Sequence, residues 1–234
     1  MQIVKELRSH GRRWLLPVMA ALSVTLVGCA GSDNRNEPAE LTEFTPTVQT
    51  STAWRVSVGS ETTYGFAPAI VGNTIYAASS DGKVARINGL EGTTVWNKEV
   101  GSDLAAGVGA DDQTVAVVTR GGEVIALDSN GQEKWRAQAS SEVNIVPWVG
   151  NGVVIVRAGD YRVQAFNAAN GERIWNVQRP GPALALRAPA RMNEVQGLVL
   201  TGMPGGRLLA IVPGSGAVVW EGIVAVPRGA SDLE

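Results

Sequence analysis

Five tryptophans recur along the chain at nearly fixed intervals: Trp54, Trp96, Trp135, Trp175 and Trp220, with steps of 42, 39, 40 and 45 residues. A period near forty marks an array of repeated supersecondary units, each burying its apolar face against the next. The surroundings repeat as well. The segments Gly82 to Asn88, Gly122 to Asp128, Tyr161 to Asn167 and Gly206 to Val212 each run into a turn, then a glycine (Gly92, Gly131, Gly171, Gly216), then a tryptophan four residues on.

Each part of the unit has a physical reason. Val84, Arg86 and Asn88 alternate with Ala85 and Ile87, and Val124, Ala126 and Asp128 with Ile125 and Leu127, the period of two that a strand requires. Asn or Asp opens the following turn, and glycine closes it at a backbone angle that other residues disfavour. The tryptophan at the end of the next strand is large enough to dock on a neighbouring unit. Upstream, Phe66 to Val71 and Thr74 to Ser79 flank Gly72-Asn73, and Ile145 to Val149 and Val153 to Arg157 flank Gly150-Asn151-Gly152, both hairpin signals. The 28 glycines among 234 residues, without a period of three, fit many turns between short strands. Four strands per forty residues make a propeller blade. A solenoid of helix pairs does not fit, because no apolar period of 3.6 appears after Cys29. The expectation is therefore an all-β fold, a β-propeller of four-stranded antiparallel blades. About four blades are present, near residues 64–101, 104–140, 143–180 and 183–226. The strand around Trp54 is left over and reads as an outer strand that completes a further blade, as part of a larger ring.

The first residues follow a different pattern. Lys5, Arg8, Arg12 and Arg13 precede Trp14 to Val27, an uncharged run of fourteen residues. This is a basic segment followed by an apolar one too short to span a bilayer, the layout of an export signal. Leu26-Val27-Gly28-Cys29 resembles the bacterial lipobox, which implies that Cys29 is acylated and becomes the first residue of the mature chain. Acyl chains hold a protein at a membrane through about 0.8 kcal/mol per buried methylene. The residue after the cysteine is Ala30 rather than Asp, which by resemblance to bacterial sorting directs the protein to the outer membrane, facing the periplasm. The organisation read here is a signal peptide at 1–28, a lipidated cysteine and flexible tether at 29–52, and a partial propeller at 53–234. The tether, rich in acidic residues, Pro and Asn, spans about 25 Å as a flexible coil.

The motif Ala165-Phe166-Asn167 followed by Gly171 and Trp175 resembles the repeat of pyrroloquinoline-quinone-type propellers. Together with the lipobox and tether, the chain resembles the N-terminal half of the BamB family, the propeller lipoproteins of the outer-membrane β-barrel assembly (Bam) complex. The resemblance implies an eight-bladed ring and a non-enzymatic scaffold that aids insertion of outer-membrane proteins. It also implies contact with BamA, the barrel-forming subunit, through its periplasmic POTRA domains. In that family a Leu-x-Leu-Arg segment makes this contact, so Leu184, Leu186 and Arg187 are implied as partner-binding residues. A second family contact, Asp-x-Asp, does not occur within the 234 residues. Nascent outer-membrane proteins are a further implied partner. Read from the residues alone, Leu184 and Leu186 share one face of a strand and suit an inner-strand core better than a contact surface.

Composition narrows the other classes. Cys29 and His10 are the only cysteine and histidine, so no Ser-His-Asp or Cys-His arrangement and no histidine metal site can be assembled after the signal. Asp111-Asp112 reads as a solvated hairpin turn rather than a catalytic pair. No catalytic residue, cofactor or metal is expected, and a periplasmic quinone-dependent dehydrogenase stands as the alternative. Removing residues 1–28 leaves 16 basic against 21 acidic residues, without the positive field that nucleic acid requires. Arg157, Arg162, Arg173, Arg179, Arg187 and Arg191 fall in the third and fourth units, either as scattered strand ends or as a basic rim for an acidic protein partner.

Overall fold

A computed structural model describes residues 40–43, 47–60, 65–181 and 191–225. The chain divides into two units, Met1–Ser51 and Thr52–Glu234. The second is all-β among its described residues, with four sheets of four antiparallel strands whose spatial order follows the sequence.

Blade 1 is β1 Ala69–Val71, β2 Thr74–Ala78, β3 Lys83–Asn88 and β4 Thr94–Glu99. Blade 2 is β5 Gly109–Ala110, β6 Thr114–Val118, β7 Glu123–Asp128 and β8 Glu133–Gln138. Blade 3 is β9 Trp148–Gly150, β10 Val153–Arg157, β11 Arg162–Asn167 and β12 Arg173–Gln178. Blade 4 is β13 Asn193–Val195, β14 Leu198–Met203, β15 Arg207–Ile211 and β16 Val218–Ile223. The fold is a β-propeller, and its first three blades fall where the repeat places them. The described strands of blade 4 run from Asn193 onward, and its expected start at 183 lies outside the described residues.

Turn chemistry sets the hairpins. Val195 pairs with Leu198 across Gln196-Gly197, and Gly150 with Val153 across Asn151-Gly152. All four turn residues have positive φ, the two-residue geometry that matches the twist of paired strands. At the turns between third and fourth strands, Asn88, Asp128 and Asn167 each accept a following backbone N–H on Oδ1, at 2.8 to 3.0 Å. This is why Asn or Asp opens those turns.

The core lies between blades, in three clusters. Tyr76, Ala78 and Val84 of blade 1 meet Val115, Val117 and Ile125 of blade 2. Ala116, Val118 and Val124 meet Val154, Val156 and Phe166 of blade 3. Ile155, Val163 and Ala165 meet Val199, Leu209 and Ile211 of blade 4. Alternate residues of β6 therefore face opposite neighbours, and the whole strand is buried. A strand covered on both faces reads as a continuous apolar run, as Val153 to Val156 does, whereas the outer strands are mostly exposed.

Candidate functional site: blade docking and the connector after blade 3

The tryptophans join the blades by one recurring geometry. Trp54 Nε1 donates to Gly89 O at 3.1 Å, Trp96 to Ser129 O at 2.9 Å, Trp135 to Ala168 O at 3.0 Å and Trp175 to Pro213 O at 2.7 Å. Each acceptor lies in the turn between third and fourth strands of the next blade. The turn glycines Gly92, Gly131, Gly171 and Gly216 carry the same indoles, and a Cβ at any of them would stand 3.0 Å or less from a ring atom. All four also have φ between +70° and +79°. Glycine is required there twice over, by backbone angle and by close approach.

The side chain is aimed by a bulge that the sequence pattern did not reveal. In every blade the register between third and fourth strands shifts immediately after the residue opposite the tryptophan, at Arg86/Ile87, Ala126/Leu127, Ala165/Phe166 and Ala210/Ile211. One extra residue on the outer strand bends it and re-aims its neighbour. The extra residues Val95, Ile174 and Val219 are left exposed, while the adjacent indoles turn toward the following blade. Trp54 occupies on blade 1 the place that Trp96 occupies on blade 2. Trp220 is 43% exposed and has no acceptor among the described residues.

The segment around Trp54 is held a second time. Asp81 in the turn after β2 accepts from Ser60 Oγ at 2.9 Å, from Lys83 Nζ at 2.9 Å and from the Ser79 hydroxyl. These hydrogen bonds, Ser79 first, then Lys83 and Ser60, hold the Asp81 carboxyl well below the usual carboxylate range.

The connector after blade 3 departs from the pattern of the others. In blades 1, 2 and 4 the turn after the second strand carries Gly82, Gly122 or Gly206, and a Cβ there would collide with the backbone carbonyl of Ser102, Ser141 or Ala225. Blade 3 has Tyr161 in that position, with φ +64°. The glycine is instead Gly181 on the connector, where a side chain would overlap the Tyr161 ring. The aromatic ring thus takes the space that connector backbone occupies elsewhere. Lining up the four repeats would have exposed this exchange, since Tyr161 alone replaces a glycine. Leu184, Leu186 and Arg187 lie outside the described residues, as does Cys29. The innermost strand of blade 4 is Asn193–Val195.

The described arginines of blades 3 and 4 turn to separate partners. Arg162 pairs with Asp160 at 2.8 Å, and Arg179 with Glu221 at 3.1 Å. Arg207 shares Glu221 at 2.8 Å, and the two guanidinium partners hold that carboxyl below its ordinary range. Arg191 Nη2 donates to Ala67 O at 3.1 Å, linking the entry of blade 4 to that of blade 1. Arg157 is half-buried between blades 3 and 4. Asp111 Oδ1 accepts from the N–H groups of Gln113 and Thr114 at 2.9 and 2.8 Å, as a turn-capping side chain does. A pocket of about 170 Å³ is lined by residues at or beside the first strands of all four blades, including Pro68, Val108, Trp148 and Arg191. Among the described residues no three His, Cys, Asp or Glu side chains are grouped to hold a metal ion.

Residues 80–234 match the family model of the outer membrane protein assembly factor BamB. The chain belongs to the BamB family. It is 54% identical over 227 residues to the outer membrane protein assembly factor BamB of Bordetella pertussis, covering 96% of this chain and 59% of that protein. The chain thus spans about three-fifths of the length of that BamB relative. The crystal structure of BamB from Moraxella catarrhalis superposes with a TM-score of 0.64 at 23% identity, over 75% of this chain and 54% of that one. A quinohemoprotein alcohol dehydrogenase from Pseudomonas putida superposes with a TM-score of 0.54 at 17% identity, over 72% of this chain and 34% of that one. At these identities both structures show the propeller fold alone.

Proposed function

We propose that this chain is a non-enzymatic scaffold of the outer-membrane β-barrel assembly complex. It is exported, acylated at Cys29 and held at the outer membrane facing the periplasm, with residues 29–52 as tether. Its propeller holds the POTRA domains of BamA through Leu184, Leu186 and Arg187, and so aids insertion of outer-membrane proteins. The observation that carries this reading is the 54% identity, along nearly the whole chain, to a protein named as an outer membrane protein assembly factor.

Co-purification of the lipidated chain with BamA tests the reading. Arg187→Ala should lower capture about tenfold while the thermal transition stays in place, since arginine is a frequent interface anchor. A wild-type chain that captures no BamA overturns the scaffold reading. Equal capture by wild type and variant removes Arg187 from the contact.

A further inference from the structure

The pocket of about 170 Å³ lies where the innermost strands of the four blades converge. Four equivalent positions ring it. Ala69 pairs with Tyr76, Gly109 with Ala116, Trp148 with Ile155 and Asn193 with Leu200, so each of the four holds the same place in its blade. Two of them are small. A Cβ at Gly109 would collide with Pro147 O, which shows how closely blades 2 and 3 approach on that side. Ala69 and Gly109 leave room between the strands, and Trp148 supplies an aromatic wall. Val108, Val146, Val149 and Met192 add apolar surface.

Two residues before these positions, blades 1, 2 and 3 carry Ala67, Gly107 and Val146, whereas blade 4 carries Arg191. Among the described residues that line the pocket, Arg191 alone is charged, and no Asp or Glu faces it there. Its Nη2 donates to Ala67 O at 3.1 Å and reaches Pro68 O at 3.5 Å. This holds the guanidinium beside Pro68, itself on the pocket wall. Nε and Nη1, with three of the five N–H groups, meet no acceptor among the described residues. Trp148 Nε1 likewise has no acceptor there, unlike the indoles of Trp54, Trp96, Trp135 and Trp175. Pro68, Arg191 and Asn193 are exposed, so the pocket opens to solvent. An apolar concavity with a few polar groups at its margin is the usual form of a small-molecule site.

Size and charge select the ligand. A cavity of about 150 Å³ accepts benzene, so this one takes a single ring or a branched alkyl group of that bulk. The fused rings of pyrroloquinoline quinone exceed it. An ionised carboxylate only accepts hydrogen bonds and is held strongly by a guanidinium. A phosphate carries more oxygens than one guanidinium and one indole N–H satisfy. We propose that the pocket binds a small monocarboxylate with a benzene-sized apolar body, the body against Trp148 and Met192 and the carboxylate on Arg191. This site goes beyond the scaffold reading and stands or falls independently of it.

Methionine methyl resonances report on the site. Met192 lies on the pocket wall, and Met203, the other described methionine, is buried between blades 3 and 4. In the full chain, benzoate should move the Met192 methyl signal saturably and leave Met203 in place. Benzyl alcohol, its neutral counterpart, should bind about tenfold more weakly, the weight of one charge-assisted hydrogen bond. Arg191→Gln should lower benzoate affinity about tenfold and bring the two probes level. Ala69→Leu, which fills the pocket and keeps the guanidinium, should abolish binding of both. If Arg191→Gln does not fold, the wild-type probe pair and Ala69→Leu still decide. An unmoved Met192 signal overturns the proposal, as does equal binding of the two probes to wild type or unchanged benzoate affinity in Ala69→Leu. A Met192 shift that sodium chloride reproduces means an adventitious ion only and overturns it as well.

Discussion

Replacing Trp135 and Trp220 by alanine, separately, should give very different costs although both occupy the same repeat position. Trp135 is 7% exposed, and its Nε1 donates to Ala168 O at 3.0 Å. Its ring packs on Gly171 and stands 6.2 Å, centroid to centroid, from Phe166. Truncating a buried aromatic costs about 3–5 kcal/mol, and the buried carbonyl left without its donor belongs at the upper end of that range. Trp220 is 43% exposed and without an acceptor among the described residues, so its truncation should cost about 1 kcal/mol or less. In a unit of this size each kcal/mol moves the midpoint by about 2–4 °C. Thermal unfolding followed by circular dichroism should therefore show Trp135→Ala falling by about 8–20 °C and Trp220→Ala by less than about 4 °C. Trp135→Phe keeps most of the buried area but not the hydrogen bond, and should fall between them. Equal midpoints for the two alanine variants would refute the inference that docking on the next blade, rather than the strand itself, gives the repeat tryptophan its energetic weight.

Two further outcomes follow from the same geometry. Gly171→Ala should cost about 2–3 kcal/mol, from a φ of +78° together with overlap on Trp135, against about 1 kcal/mol for Gly152→Ala, where φ is +73° and the space is open; urea unfolding compares them, and equal costs would count against indole contact at Gly171. The protection factor of the Ser60 amide, which donates to Asp81 Oδ2, should fall as pH drops below about 4, toward the depressed Asp81 value. A lowered folded pKa gives stability that is full above the unfolded value of 3.8 and lost as the carboxyl protonates, so Asp81→Asn should show a low protection factor already at pH 6 and little further loss in acid.

The repeat written in residues 53–226 determined how many blades form, where their turns lie and which glycines those turns need. This information is local: strand alternation, Asn or Asp at a turn and glycine four residues before tryptophan act between neighbours in the chain. Tertiary structure decided what each unit faces. The bulges after Arg86, Ala126, Ala165 and Ala210 arise from strand pairing and choose the blade that each indole meets. Six arginines in the third and fourth units look alike in sequence. Packing gives Arg179 a carboxylate partner in blade 4, sends Arg191 to a backbone carbonyl at the entry of blade 1 and Arg157 to Gly202 O, while Arg162 pairs within its own turn. Arg162 and Asp160 share one turn, but Arg179 and Glu221 stand 42 residues apart and Arg191 and Ala67 stand 124 apart, so no short-range pattern could have fixed those two.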